Sequence, residues 1–487
     1  MILTNARILT FDSSNRVLQS GSVEVRDDGS IGFVRSGRVR GAGTVDLGGR
    51  LLMPALINCH THLYSTLARG MALPGPPPAD FPGILKKLWW RLDRALNEED
   101  IYYSALVGLI DSAKCGVGTA IDHHSSPNAC AGSLDQVARA FRKVGLRGAT
   151  CYETSDRNGR SGAAEGIREN VRFIEKTLRE TEERRRATDT TPRDAGHTAR
   201  VGRDTLDRGG TTLPTGEKDL HGPGGLRRVG GEPRHRKSPG GGTVGAAFGL
   251  HAAFTLGDRT LRACAEANQP LGAAFHIHVA EDACDRDAVG RLRRFGILNE
   301  QTLAAHCIHV PGAQRGILAR RGVNAIHNPQ SNCNNAVGVA NVLDLVRRGV
   351  TVGLGSDGYS PRLWDEFKTA FHLQKLQARD PRVAYAEAYA AAFLNNRAIV
   401  KKVWGFDIGR IQTGACADLL VADYFPPSPI GRDNLFGHLL FGISNAPVES
   451  LIVGGRWVVR DRRCVNVDER RVAEKAAARA RALWRRF

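Results

Sequence analysis

Between residues 51 and 358 one theme returns eight times. Short runs of small, β-branched or apolar residues each end in a polar one: LLMPALINCHTH, GTAIDHH, RGATCYET, AAFGLHA, AAFHIHVAE, LAAHCIH, VNAIHNP and TVGLGSDG. Amphipathic stretches such as EDIYYSALVGLIDSAKCG, SLDQVARAFRKVG and VANVLDLVRRG separate them, several closed by the glycine expected just past a helix end. Strands that read as near-continuous apolar runs are covered on both faces, and helical crossovers make them parallel. Eight such units predict a (β/α)8 TIM barrel, here over residues 53–410. In that architecture the reacting groups sit at the C-terminal ends of the strands. That is where the His, Glu and Asp residues fall.

The flanks carry a different pattern. Residues 1–52 and 411–465 read as short strands with tight turns, and the two pieces predict one small β-sandwich built from both chain ends. Residues 466–487 read as a closing basic helix. Residues 181–243 fit neither pattern: from Thr181 to Ala247 there is no Ile, Phe, Tyr, Trp or Met. A segment so poor in large apolar groups cannot offset the entropy of ordering itself. The expectation is a disordered insertion, or a segment read in a shifted frame. The same stretch holds 13 Lys/Arg against 9 Asp/Glu, and residues 460–487 hold 10 against 4, an excess of ten from a net charge of +18. No aromatic-studded basic face accompanies this charge, so no nucleic-acid partner is expected. No apolar run reaches membrane-spanning length, and the first residues lack the pattern of a secretory leader. Ten scattered cysteines without a CxxC pair read as reduced thiols, hence a cytoplasmic protein.

His60 and His62, two apart at the end of the first run, would point to one face of a strand. Two imidazoles converging beyond a strand end suit a divalent metal. The fifth run brings His278 with Glu281 three residues on, and His276 beside them. The sixth brings His306, and the eighth Asp357 in a small-residue turn.

Together HTH, HxxE, AAHC and GSDG at these positions resemble the amidohydrolase superfamily, in its branch of cytosine-, guanine- and chlorotriazine-type hydrolases. IGRIQTGACADLLVAD at 408–423 is similar to the segment that returns the chain to the flanking sandwich in that group. LWWRLDRAL, AIDHHSSP, TCYETSDRNG and HNPQSNCNNAVGVAN are most like the aminohydrolases called SsnA. The resemblance covers residues 1–178 and 244–465, with a shorter link after Glu281 than that group carries. It implies that His60, His62, His278 and Asp357 hold one divalent metal. Three imidazoles and a carboxylate favour Zn2+, with Fe2+ second, over oxygen-preferring Mg2+. Two-metal relatives need a carboxylated lysine on the fourth strand, and AFGLHAAF has none.

A zinc-bound water of pKa about 7 supplies hydroxide at neutral pH. The implied reaction is deamination of an amino-substituted nitrogen heterocycle, a purine, pyrimidine or pterin. Glu281 would protonate the ring nitrogen, Asp357 would carry the water's proton to the leaving amine, and His306 would orient the water. His251 is a substrate contact by the same resemblance, and a homodimer is expected. Dechlorination or cyclic-amide opening of a similar ring is the alternative, as is an inactive scaffold. His123 and His124 are expected to shape the pocket or fill the core. His276, His309 and His327 are expected to be structural or to back the site residues, and Trp89 and Trp90 to pack beneath a βα-loop before stacking on a ring, a second role that their position after the first strand also allows.

Overall fold

The computed structural model describes residues 1–189 and 242–487. The chain divides into one compact unit of Met1–Leu178 with Lys237–Phe487 and another of Arg179–Arg236. The described part of the second is the end of helix Gly159–Asp189. Residues 181–189 are thus helical, where an irregular stretch was expected. Their Glu- and Arg-rich composition carries the helix propensity that a count of large apolar residues overlooks. Residues 190–241, the rest of the expected irregular stretch, lie outside the described residues.

In the first unit, strands β1 (Ile2–Leu9), β2 (Val17–Val25), β3 (Ile31–Ser36), β4 (Thr44–Asp46) and β5 (Leu51–Pro54) come from the N-terminal end. One nine-stranded sheet joins them to four strands from the other end of the chain, with β5 pairing β1 on one side and Leu419–Ala422 on the other. Leu3, Ile8, Val23, Ile31, Leu52, Ile411, Leu419, Val421 and Ile452 gather into its buried cluster.

The barrel begins one residue after β5. Its strands are β6 (Leu56–Thr61), β7 (Val117–Asp122), β8 (Arg147–Thr150), β9 and β10 (Val244–Ala246 and Phe248–Ala252, one position interrupted at Ala247), β11 (Phe275–Val279), β12 (Leu303–His306), β13 (Asn324–His327) and β14 (Thr351–Leu354). Successive strands pair in parallel. Thr154 bridges Leu250 across the β9/β10 interruption. Closure comes where the chain leaves β14: Ser356 and Asp357 N–H both donate to the His60 carbonyl at 2.9 Å. Gly355 permits that approach, since a Cβ there would lie 2.8 Å from the Cβ of His60 and 2.4 Å from Asn328 Oδ1. Each of the eight runs holds a barrel strand, but the first, expected from about Leu51, divides: Leu51–Pro54 joins the nine-stranded sheet and only Leu56–Thr61 joins the barrel. The strands of the C-terminal end follow as β15 (Leu419–Ala422), β16 (Val448–Val453), β17 (Arg456–Arg460) and β18 (Arg463–Cys464).

The helices follow from local chemistry. Helix Glu98–Lys114 opens on a reciprocal cap between Asn97 and Asp100. Helix Ser133–Val144 buries Leu134, Val137, Ala138, Phe141 and Val144 at helical spacing and stops at Gly145, whose φ is 93°. The expected C-terminal helix, Glu469–Arg486, lies against the first of these: Arg479 Nε donates to Asp100 at 2.9 Å and Trp484 Nε1 to the Leu67 carbonyl at 2.8 Å. No helix among the described residues is long and apolar enough to cross a membrane.

Candidate active site

His60 ends β6 fully buried, and His62 follows it with its ring on the same side. His278 on β11 brings its Nε2 to 3.1 Å from His62 Nε2. Asp357, just past β14, sets Oδ1 3.1 Å from His62 Nε2 and 3.7 Å from His60 Nε2. Its other oxygen lies 3.8 Å from His306 Nε2, which is 3.5 Å from Glu281 Oε2. Six of the seven expected residues therefore meet at one point. Ala280, His306 and Asp357 adopt positive φ there, 48°, 72° and 56°, conformations that L-residues hold only under constraint.

The hydrogen bonds behind these rings fix their tautomers. His62 Nδ1–H donates to the His123 carbonyl at 2.6 Å, His278 Nδ1–H to the His251 carbonyl at 2.8 Å, and His306 Nδ1–H to Asn332 Oδ1 at 2.8 Å. For His60 a relay decides. The Cys151 thiol donates to the Asp122 carbonyl at 3.7 Å, so its sulfur receives His276 Nδ1–H at 3.8 Å. His276 Nε2 must then accept from His60 Nδ1 at 2.8 Å. All four rings so arranged turn a bare Nε2 inward. Those of His60 and His306 have no hydrogen-bond partner though fully buried. Bare lone pairs 3.1 Å apart repel, and a cation among them removes the conflict. The donor set of imidazoles and one carboxylate fits a divalent metal of zinc type.

Without such an ion the conflict falls on protonation. Burial and neighbouring imidazoles hold His60 and His278 well below the usual imidazole range. Burial opposes charge on His62 too, but hydrogen bonding and charge from Asp357 and Glu153 outweigh it and raise that ring well above its ordinary value. Burial lifts the Glu281 carboxyl to about 7, with His306 pulling it down and Asp357 pushing it up. Such a carboxyl keeps its proton in about half the molecules at neutral pH, where an ordinary glutamate has lost it.

A cleft of about 770 Å³ opens over this floor. His251, the seventh expected residue, lines it, its Nδ1 2.9 Å from Thr255 Oγ1. Trp89 and Trp90 line it as well, which favours the second of their two expected roles over packing beneath a loop; the segment carries a π-helical turn over Leu85–Trp89. His123 and His124 are buried under the cleft, and His276 backs His60. His309 Nε2 is spent on the Val337 carbonyl at 2.7 Å, and His327 is buried away from the cleft.

Sequence reasoning assigned no role to Glu153, Asp93, Arg157 or Ser331. Ser331 Oγ donates to Asp357. Asp93 pairs with Arg157 and accepts from Ser125 Oγ at 2.8 Å. Glu153 stands behind His62 at 3.1 Å. For Glu153 a signal existed, since it closes the third run as His60 and His62 close the first. The Asp93–Arg157 pair joins helix Trp90–Ala95 to the helical turn Asp156–Asn158, 64 residues apart, and had none.

The amidohydrolase family model matches residues 51–458. A 5-methylthioadenosine/S-adenosylhomocysteine deaminase of Desulforudis audaxviator is 29% identical over 90% of this chain and 88% of its own length. A 5'-deoxyadenosine deaminase of Methanosarcina mazei is 26% identical over 99% of this chain and 98% of its own. Among solved structures, an adenosine deaminase from Xanthomonas campestris with bound zinc superposes with a TM-score of 0.76 at 20% identity, covering 100% of this chain and 98% of that one. An atrazine chlorohydrolase from Arthrobacter aurescens, complexed with zinc, gives 0.71 at 19% identity over 99% of both chains.

Proposed function

This chain belongs to the amidohydrolase family, and from that premise we propose that it is a metal-dependent aminohydrolase releasing ammonia from an amino-substituted nitrogen heterocycle, with 6-aminopurine nucleosides as the substrate class. The observation that carries the reading is the convergence of bare imidazole nitrogens and Asp357, with the Glu281 carboxyl beside them, 3.5 Å from His306 and raised toward neutrality by burial. The relatives named for adenosine-type substrates support the purine. The aromatic walls of the cleft, Trp89, Trp90 and Phe254, suit a flat ring. We assign the work to the cytoplasm, where the ten cysteines, none of them in a disulfide, stay reduced.

His60, His62, His278 and Asp357 would hold one divalent ion, Zn2+ before Fe2+. When bound, that ion lowers the pKa of water toward neutrality and polarises it for attack. The protein's own groups move the protons. Glu281 gives its proton to the ring nitrogen beside the amine-bearing carbon as water adds to that carbon. Asp357 takes one proton of the attacking water and delivers it to the amine, which leaves as ammonia. The remaining hydroxyl proton returns to Glu281 as the ring carbonyl forms. His306, held by Asn332, orients the water, and His251 contacts the substrate from the wall.

The test is ammonia release by zinc-loaded protein from 5'-methylthioadenosine, S-adenosylhomocysteine, 5'-deoxyadenosine, guanine, cytosine, a pterin and atrazine. Turnover of the adenosine derivatives above the free bases is expected. Chloride release from atrazine with no ammonia from any amine would overturn the proposal.

A further inference from the structure

The geometry points to Glu153 as the outer carboxylate of the candidate metal site, neutralising it through His62; the inference rests on the function proposed above. Glu153 follows β8, and its side chain is only 4% exposed. Its ion-pair partners among the described residues are all imidazoles: His62 Nδ1 at 3.1 Å, His123 Nδ1 at 3.4 Å and His251 Nε2 at 4.0 Å; the Arg157 guanidinium also feels its charge, but is itself paired with Asp93. Among the described residues no lysine or arginine forms an ion pair with it. A buried carboxylate in that position requires positive charge from somewhere.

Hydrogen bonding with His62 accounts for only part of it. The His62 N–H is aimed at the His123 carbonyl at 2.6 Å, and Glu153 Oε1 stands beside that bond without a directed partner of its own. What Glu153 contributes is therefore charge, one imidazole ring away from the point where the bare nitrogens meet. A divalent ion held there would have a single anionic ligand, Asp357, which leaves one positive charge at the floor of the cleft. Glu281 adds no charge in the form that the proposed reaction uses, the one that holds its proton. The negative charge of Glu153 brings the sum to zero. Carboxylates behind metal-bound imidazoles raise affinity by this route, and their loss costs about 10- to 100-fold in metal binding.

The experiment is Zn2+ affinity of the full chain by chelator competition, with unfolding of the metal-stripped protein as a control. Glu153→Gln, which removes charge and keeps shape, is expected to bind Zn2+ about 10- to 100-fold more weakly than wild type, with its apo unfolding midpoint unchanged. Glu153→Asp, which retains the charge, is expected to fall between them. If Glu153→Gln fails to fold, a severalfold loss in Glu153→Asp supports the assignment. Wild-type affinity in every variant that folds overturns it while leaving the proposed function standing. A wild-type chain that holds no Zn2+ overturns both.

Discussion

Replacing Glu281 by Gln should cost activity and add stability, and the structure sets the size of both. The carboxyl is carried from 4.5 to about 7, by burial first, and its side chain is 12% exposed. A folded-state pKa above the unfolded value means that the folded protein keeps a proton which the unfolded chain has already released. Stability from this group is therefore full below pH 4.5 and is lost as the pH rises through about 7. At about 1.4 kcal/mol per pKa unit, the metal-free protein at pH 8 forgoes roughly 3 kcal/mol on account of this one residue. Gln cannot ionise and escapes that penalty. In urea unfolding of metal-stripped protein, Glu281→Gln should exceed wild type by about 3 kcal/mol at pH 8, the gap shrinking to about 1 kcal/mol or less at pH 5. Activity should move the other way. Losing a general acid costs about 10²- to 10⁴-fold, or roughly 3–5 kcal/mol of barrier. The wild-type decline of kcat/KM above pH 7 should vanish with it. A variant that gains nothing at pH 8, or that keeps more than about a tenth of the activity, would show that Glu281 is neither so buried nor so engaged.

Three further outcomes follow from other parts of the molecule. Elemental analysis should find about one zinc per wild-type chain, and His60→Ala, which deletes a buried Nε2 without a partner, should lose it. Arg147→Met should destabilise by about 3–5 kcal/mol in chemical denaturation, because it strands Asp418, held bidentately at 3.0 and 3.1 Å where β8 meets the nine-stranded sheet; adding Asp418→Asn should recover part of the loss. Trp90→Ala, at the cleft wall, should raise KM about 5- to 100-fold from lost ring stacking of about 1–3 kcal/mol while kcat holds within about threefold, and an unchanged KM would put the substrate elsewhere.

How far these residues could be read in advance depends on whether their relation is local. His60 and His62 were legible because a strand repeats every two residues, so a spacing of two fixes a shared face whatever lies around it. His278, His306 and Asp357 were legible by the rule that barrel strands end at the site, which turns three distant positions into one place. The eight strands came through for the same reason, each a buried run with its own punctuation. Trp89 and Trp90 came through only as a choice of two roles, since no local pattern in LKKLWW says which way the pair faces. Helix Gly159–Asp189 outran expectation because residues 181–189 were judged by apolar content, whereas Glu and Arg favour a helix without it.

Glu153 is the instructive case. It closes its run as plainly as His60 does, yet a strand-end glutamate has no meaning until β8 is set beside β7 and its carboxylate is found 3.1 Å behind His62. The tautomers are further still from the sequence. That His60 presents a bare nitrogen depends on a relay through His276 and Cys151 to the Asp122 carbonyl, across β6, β11, β8 and β7. The residue types that can hold a metal are written along the chain. The protonation that lets them hold it is a property of four strands at once, and a change at Cys151 or His276 should reach the metal without touching it.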